Sequence, residues 1–411
     1  MNNLNIALRK FPYPFQAAFT LCSDVDNTPS LRIYQDMMDY LNSDSDTRFG
    51  RGLNLEIGNS YWFFNNTATP QLAYFKNSGP DETDFAPVCR ELWQSGHIDV
   101  LHTYGNFDEG GFSRKHAETA LNVLNKHNVK LRTWVNHGST QNTQNLGFFE
   151  TFQGARKESS AYHTDLLRSY SIRYAWTGRI THIIGQDARG TGNIRMGKAV
   201  QRGIFNTKHR RLKKRLYDSG NRLLIRQELH DGWTLWEFPR WINLQKKARH
   251  MNSHDLARQL HPKHIRALVK NQGFLIVYTH LCEGLTAGSP LAPGVRQNLE
   301  HIARLYHSGE LLVATTSRLL RYAEIHHNLT FESEQKKETE TVILPSQLNI
   351  LGEPHPITEY DLQGLTFYCR NPQKMRIRFQ GKIVSTVTNP PDHSGQPSIS
   401  VPWNPLEYPG K

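Results

Sequence analysis

Short apolar runs alternate with amphipathic helical stretches along most of this 411-residue chain, and this alternation restricts its fold more than any other feature. The first unit is an apolar run at 16–23, an acidic loop, and a helical stretch at 30–41 that Thr28 and Pro29 are suited to start. Similar units follow as far as residue 326. Repeated strand–helix units place their strands parallel, and about eight of them predict a closed α/β barrel. A doubly wound open sheet is the alternative.

The same alternation predicts the remaining strands and helices, and it suggests that the chain has two domains. Further strands are predicted at 53–57, 98–103, 129–135, 172–176, 233–238, 274–279 and 311–314, and helices at 82–94, 114–125, 163–170, 256–270, 295–307 and 317–326. From residue 331 onward, short alternating segments between Pro, Gly and Asn turns predict a small antiparallel β module. We therefore predict an α/β barrel at 1–330, with a basic insertion at about 178–221, and a β-rich module at 331–411.

The charge and the apolar content restrict the class of partner. The formal net charge is +12, which attracts anionic molecules, and the densest basic run lies at 208–215. This run lacks the interleaved aromatic residues of a nucleic-acid stacking surface, so we expect contact with an anionic glycan or lipid, or only with solvent. We expect no nucleic-acid partner. With no long apolar stretch and no signal-peptide pattern at the start, the sequence also predicts a cytoplasmic protein with no transmembrane segment.

Polar side chains lie at the ends of four of the predicted strands or directly after them. Asp24 and Asp26 follow the first, His102 lies at the end of the strand at 98–103, and His137 and His280 follow two others. In parallel α/β barrels the strand ends carry the functional groups, and converging imidazoles and carboxylates suit zinc and related divalent ions. The alternative for the aspartates is capping of the next helix, and for each histidine a hydrogen bond at a strand end. Taken together, the positions predict a divalent metal site.

At these residues the chain resembles the polysaccharide deacetylase family, also called the NodB-homology or carbohydrate esterase family. Residues 19–26 look like its first motif, in a variant with Asp-x-Asp instead of adjacent aspartates. Residues 96–103 resemble the second motif, a glycine-led strand that ends in His-Thr, and 131–138 resemble the third. Residues 276–280 resemble the last motif, in which a strand delivers a histidine. The resemblance spans roughly residues 15–325.

The resemblance implies a metal-dependent hydrolase that removes N- or O-acetyl groups from a glycan or glycan precursor in polysaccharide metabolism. It implies a distorted barrel of about seven strand–helix units. In this chain Asp24 would be the general base and His280 the catalytic acid, while Asp26 and His102 would hold the metal, which we expect to be zinc. The expected partner is a carbohydrate, with anionic substrates fitting the basic charge.

One departure from the family pattern concerns the third metal ligand. The family has a second histidine four residues after the first, and Asn106 occupies that position here. We expect His137 to be the third ligand, with His163 and Asn106 as the alternatives. The residues assigned to substrate binding are Asn136, Trp134 and Tyr104.

Two other functions remain open at this stage. The first is a metal-free barrel that has lost catalysis and serves as a glycan-binding or scaffolding protein, which Asn106 favours. The second is a glycosidase that uses the aspartate pair and needs no metal.

Overall fold

The structure, a computed structural model, describes residues 6–77, 79–138, 142–188, 220–243, 252–253 and 255–409. The basic run predicted at 208–215 lies outside these residues. The helices are α1 (Leu31–Asn42), α2 (Phe85–Ser95), α3 (Arg114–Lys126), α4 (Thr164–Tyr170), α5 (Leu256–Gln259), α6 (Pro262–Asn271), α7 (Pro293–His307) and α8 (Thr316–Asn328). In the part of the chain that the structure describes, none of them combines the length and apolar character needed to cross a membrane.

The described residues contain strands both before and after residue 313. Up to residue 313 they are β1 (Ala7–Leu8), β2 (Ala17–Asp24), β3 (Asp46–Thr47), β4 (Gly50–Arg51), β5 (Asn59–Tyr61), β6 (Phe64–Asn65), β7 (Ile98–His102), β8 (Gly105–Asn106), β9 (Thr133–Val135), β10 (Tyr174–Trp176), β11 (Ile180–Thr181), β12 (Ile225–Glu228), β13 (Thr234–Glu237), β14 (Arg240–Trp241), β15 (Phe274–Thr279) and β16 (Leu311–Val313). Those that follow are β17 (Glu332–Lys336), β18 (Thr339–Leu344), β19 (Gln347–Ile350), β20 (Glu353–Pro356), β21 (Thr366–Tyr368), β22 (Met375–Phe379), β23 (Lys382–Ile383), β24 (Val387–Asn389) and β25 (Ser398–Ser400).

One large sheet organises the first part of the chain. Its strand order is β12-β13-β10-β9-β7-β5-β2-β15, and β16 also pairs with β2. All neighbours are parallel except β12 and β13. The mixed α/β fold with a parallel sheet is therefore confirmed. Among the described residues the outer strands β12 and β15 do not pair with each other. Apart from the ladder with β2, Phe274 of β15 forms a single bridge with Gln186, and His280, directly after β15, forms one with Asn252.

Strand β2 is buried on both faces, which explains its continuous apolar sequence. On one face Phe19 and Leu21 join the core beneath helices α1 to α7. On the other face Ala18 and Cys22 join a second core, which contains α8 and the strands after residue 331. The strand that carries the aspartates is thus fixed from both sides.

Several elements differ from the prediction, and three of them do so for a local reason. The run at 53–57 is not a strand, because the N–H groups of Leu53 and Leu55 bond to carbonyls in the last turns of α1 instead of to a sheet neighbour. The helix predicted at 256–270 is interrupted before Pro262, since proline cannot continue a helix and begins a new one. Helix α1 begins after Ser30, whose side chain caps it.

The region after residue 331 is rich in strands, as predicted, but it is not purely antiparallel. Strands β17-β18-β22-β23 form one sheet, in which β18 and β22 are parallel. Strands β1-β21-β25-β24 form another, so residues 7 and 8 belong to a sheet made mostly from the end of the chain. An almost completely buried ion pair of 2.7 Å between Arg9 and Asp392 reinforces this connection. The domain boundary near residue 330 stays a prediction.

The substitution Asp392→Asn is expected to lower the free energy of unfolding by about 1–3 kcal/mol at neutral pH, because Arg9 loses its charged partner. Burial tends to raise the pKa of Asp392, but hydrogen bonds from Ser394 and Arg9 hold it well below its ordinary value. The stabilisation is therefore present above the unfolded-state pKa of about 4 and is lost as the pH falls below it. Urea unfolding of both proteins should show a difference that shrinks in acid. A difference that is constant with pH would contradict this account.

Candidate metal and catalytic centre

The two aspartates reach one site because the chain turns directly after β2. In an extended strand, Asp24 and Asp26 would point to the same face but would be about 7 Å apart along the strand. Here β2 ends at Asp24, and the turn that follows places Asn27 in the left-handed region, with φ of 57°. Both aspartates and His280 then offer ligand atoms that lie within 4.8 Å of one another. The carboxyl end of β2 thus lies beside the carboxyl end of β15, because the two strands pair in parallel.

A second group at the same edge consists of Asp26, His102 and His137, whose ligand atoms also lie within 4.8 Å of one another. The distance from His102 Nδ1 to Asp26 Oδ1 is 3.6 Å, and that from His137 Nδ1 to Asp26 Oδ2 is 4.0 Å. Trp62 stacks on the His102 ring at 5.3 Å and meets the His137 ring edge-on at 4.8 Å. The neighbouring strands β7 and β9 deliver the two histidines, and Trp62 fixes their rings.

These three residues fit a divalent metal ion. Asp26 Oδ1 and His102 Nδ1 are buried and have no hydrogen-bond partner among the described residues. Leaving such atoms unpaired costs about 1–3 kcal/mol each, which a bound cation would recover. Burial lowers the pKa of His102 to about 4, so its imidazole is neutral at pH 7, as a metal ligand must be. One carboxylate and two imidazoles are a ligand set typical of catalytic zinc sites.

Asp24 is held by a buried arginine that the sequence analysis did not identify. Arg240 Nη1 lies 3.2 Å from Asp24 Oδ2, and Nη2 lies 3.3 Å from Oδ1, while the Ser60 hydroxyl donates to Oδ1 at 2.6 Å. The guanidinium contacts the rings of Trp176 and Tyr278, at 4.3 and 4.5 Å from their centroids. Burial tends to raise the pKa of Asp24, but Arg240 holds it below its usual value. Asp24 is therefore an ionised carboxylate with a fixed orientation.

His280 has the opposite charge state. Its Nε2 lies 2.8 Å from Asp26 Oδ2, and its Nδ1 lies 3.6 Å from Glu283 Oε2. Burial alone would lower the pKa of His280, but the Asp26 carboxylate raises it to about 9. The imidazole is thus protonated at neutral pH. An ionised carboxylate and an imidazolium are found at one small site.

Comparison with known proteins adds no assignment. No family model, curated protein or solved structure matches this chain. The family resemblance therefore stays a prediction, and the functional assignment rests on the geometry of this site.

Asp108, which follows β8, orients His137 from the side opposite Asp26. Its Oδ2 lies 3.4 Å from His137 Nε2, and Asn142 donates to its Oδ1 at 3.2 Å. Gly138 permits this close approach, because an added Cβ would lie 2.3 Å from Asp108 Oδ1 and the residue has a φ of 65°. A carboxylate behind a ligating histidine fixes the orientation of its ring.

We expect Asp108→Asn to weaken metal affinity by about 10- to 100-fold while the fold is retained, since it alters only the orientation of His137. Competition with a chromogenic chelator measures this affinity without any turnover. The matched control is Glu109→Gln, a neighbouring exposed carboxylate, which should leave the affinity unchanged. Equal affinities for the Asp108 variant and the unaltered protein would remove Asp108 from the site.

The two alternative ligands are not brought into the cluster. His163 is buried, with Nδ1 at 3.2 Å from the Tyr104 hydroxyl and Nε2 at 2.8 Å from the Gln144 carbonyl. Asn106 accepts a hydrogen bond from the backbone N–H of Asp108. Both side chains hold loops near the site, and the geometry favours His137 as the third ligand.

The three residues assigned to substrate binding lie in the packed interior. Tyr104 and Trp134 have no exposed surface, and their rings pack against each other and against His163. The Asn136 side chain accepts a hydrogen bond from the Trp134 indole N–H. It also donates one to the backbone carbonyl of Leu146 and accepts one from the backbone N–H of Leu146. These contacts support a role in fixing the loop after β9, and direct contact with substrate stays a prediction.

Several residues of the site were not predicted, although the position of some of them relative to a strand could have indicated them. Arg240 comes three residues after β13 ends, so the rule that found His137 would also have found it. Ser60 was missed because the strand was placed at 53–57 instead of Asn59–Tyr61. Glu283 follows His280 by three residues in a loop, where no period indicates its direction.

Proposed function

We propose that this chain is a metal-dependent hydrolase that removes N- or O-acetyl groups from a glycan or glycan precursor, on a distorted barrel of the deacetylase type. One observation carries the proposal. The buried ligand group Asp26, His102 and His137 lies beside an ionised Asp24 and a protonated His280. Hydrolysis of an amide or ester requires a base for water, an acid for the leaving group and an electrophile for the carbonyl.

The residues have separate roles in this reaction. Asp26, His102 and His137 would hold the metal, for which zinc is our proposal. When bound, such an ion polarises an acyl carbonyl and lowers the pKa of a water molecule. Asp24 accepts the proton of the attacking water, and Arg240 keeps its carboxylate ionised and oriented.

His280 supplies the proton that the leaving group needs. As water adds to the acyl carbon and the C–N or C–O bond breaks, the imidazolium donates its proton to the leaving nitrogen or oxygen. Glu283, near the other ring nitrogen, supports the charged form before transfer. The products are acetate and the free amine or hydroxyl of the sugar.

The charge states favour this reaction over the two alternatives. An aspartate-pair glycosidase needs one protonated carboxyl as its acid, whereas Arg240 and His280 hold the pKa of Asp24 and Asp26 below their usual values despite burial. A metal-free binding protein has no need for unpartnered buried ligand atoms at Asp26 and His102.

Acetate release from a panel of N- and O-acetylated amino-sugar oligomers, measured together with bound metal by elemental analysis, tests the proposal. We expect stoichiometric metal and acetate release from at least one member. Absence of both metal and hydrolysis across the panel would reject the proposal. Release of reducing ends by metal-free protein would support the glycosidase instead.

The substitution His280→Asn is expected to lower acetate release by about 10²- to 10⁴-fold, which is the usual contribution of a general acid. Metal content should be retained, because His280 is not one of the three residues that would hold the ion. The matched control is His230→Asn, which changes an exposed histidine far along the chain and should leave turnover unaltered. Loss of metal in the His280 variant would show instead that this residue is a ligand.

A further inference from the structure

A separate cleft of about 610 Å³ lies at the amino-terminal ends of several strands of the large sheet. It is bordered by residues that precede β9, β10 and β13, by the end of α4, and by the hairpin of β19 and β20. Arg132 directly precedes β9, whereas His137 follows the same strand. The cleft and the metal-ligand group therefore lie at opposite ends of the strands.

Four arginines line this cleft, and two of them are not neutralised. Arg173 pairs with Glu324 at 2.6 Å, and Arg168 lies 3.7 Å from Glu353. For the guanidinium groups of Arg132 and Arg226, the described residues provide no ion pair and no hydrogen bond. The cleft therefore has two positive charges in excess of its local carboxylates.

The surroundings of Arg132 increase this imbalance. Arg132 is half-buried, and burial together with the charges of Arg321 and Arg173 lowers its pKa from the ordinary value. Arg321 is itself paired with Asp361. His355 contacts Arg173 at 2.7 Å, and burial and the adjacent arginines lower its pKa to about 4, so it is neutral. Like charges crowded in a cleft repel each other, and a bound anion would relieve the repulsion.

An aromatic side chain completes the cleft. Trp233 is half-buried, at the start of β13, and lines the same space as the arginines. Arginine forks bind carboxylate, sulfate and phosphate oxygens in pairs, and ligand pockets combine aromatic walls with a few such polar groups. We propose that this cleft binds a saccharide that bears an oxyanion group, with Arg132 and Arg226 on the oxyanion and Trp233 against the sugar ring.

The test uses the full chain and the double variant R132Q/R226Q. Calorimetric titration with a sulfated disaccharide, its unsulfated counterpart and inorganic phosphate, all at one salt concentration, compares the possible ligands. We expect the unaltered protein to bind the sulfated disaccharide more tightly than either of the others, and the double variant to bind it at least about tenfold more weakly. The control R266Q/R304Q removes the same charge from exposed positions on α6 and α7 and should bind as the unaltered protein does.

Thermal unfolding gives a second readout and checks the fold of the variants. Since Arg132 and Arg226 have no partner to lose, the double variant should melt no lower than the unaltered protein, and the single variant R226Q changes only an exposed residue. The sulfated disaccharide should raise the melting temperature of the unaltered protein but not that of the double variant.

Three outcomes would overturn the proposal. Equal weakening by both double variants would indicate general charge attraction. Equal binding of the unsulfated disaccharide would exclude an oxyanion contact, and equal binding of phosphate would exclude a sugar contact. None of these measurements involves metal or acetate release, so the cleft and the proposed deacetylase activity can fail independently.

Discussion

Asp26→Asn is expected to yield protein without bound metal and with acetate release lowered by about 10³-fold or more, which corresponds to several kcal/mol of lost transition-state stabilisation. Asp26 lies 3.6 Å from His102 and 4.0 Å from His137, and it is the carboxylate ligand of this group. It is also the main group that raises the pKa of His280, so the variant loses part of its acid as well. Elemental analysis and the acetate assay measure the two effects separately.

The appropriate control is Asp81→Asn, which removes the charge of an exposed aspartate outside the site. This variant should keep its metal and its turnover. If Asp26→Asn also kept full metal and turnover, the ion would have to be held elsewhere, and the assignment of the group Asp26, His102 and His137 would be wrong.

The second large effect concerns stability. Arg240→Met is expected to lower the free energy of unfolding by about 3–5 kcal/mol, the usual cost of breaking a buried ion pair from one side. Arg240 is completely buried and Asp24 is 3% exposed, so the remaining carboxylate would lose its paired cation in a place with little access to water. Urea unfolding at neutral pH measures the loss, and acetate release should fall with it because Asp24 is no longer held.

A second substitution separates the charge effect from packing. In the double variant Asp24→Asn/Arg240→Met no buried charge remains unpaired, so we expect most of the stability to return while activity stays low. The control Arg32→Met breaks a pair with Asp36 in which the arginine is 80% exposed, and it should change stability by less than about 0.5 kcal/mol. If the double variant were less stable than Arg240→Met, packing of Arg240 against Trp176 and Tyr278 would be its main contribution.

The parts of the fold that were predictable are those in which local pattern and burial agree. Strand β2 has a continuous apolar sequence because it is buried on both faces, and its ends agree closely with the prediction. Asp24, Asp26, His102, His137 and His280 could be grouped because the carboxyl ends of parallel strands meet at one edge. The order of the strands was not needed for that inference.

The remainder depends on contacts between distant segments. Whether a parallel sheet closes is decided by pairing between its first and last strands. The sequences of β12 and β15 do not indicate whether these two strands pair. Spacing made Asn106 a candidate ligand, but its side chain is used within its own loop. The position of Arg240 after β13 made it a possible site residue, but its contacts with rings from two other strands have no signal in its own segment.

The pairing of β1 with β21 also bears on how the chain acquires its structure during synthesis. Ala7 is opposite Tyr368, so this ladder cannot form until some 360 residues of later chain have left the ribosome. Ala18 and Cys22 in β2 likewise share a core with residues such as Leu365, which are translated long afterwards. The nascent chain must therefore carry this face of β2 uncovered until those later residues are made, a stage at which chaperone binding or delayed collapse would protect it from aggregation.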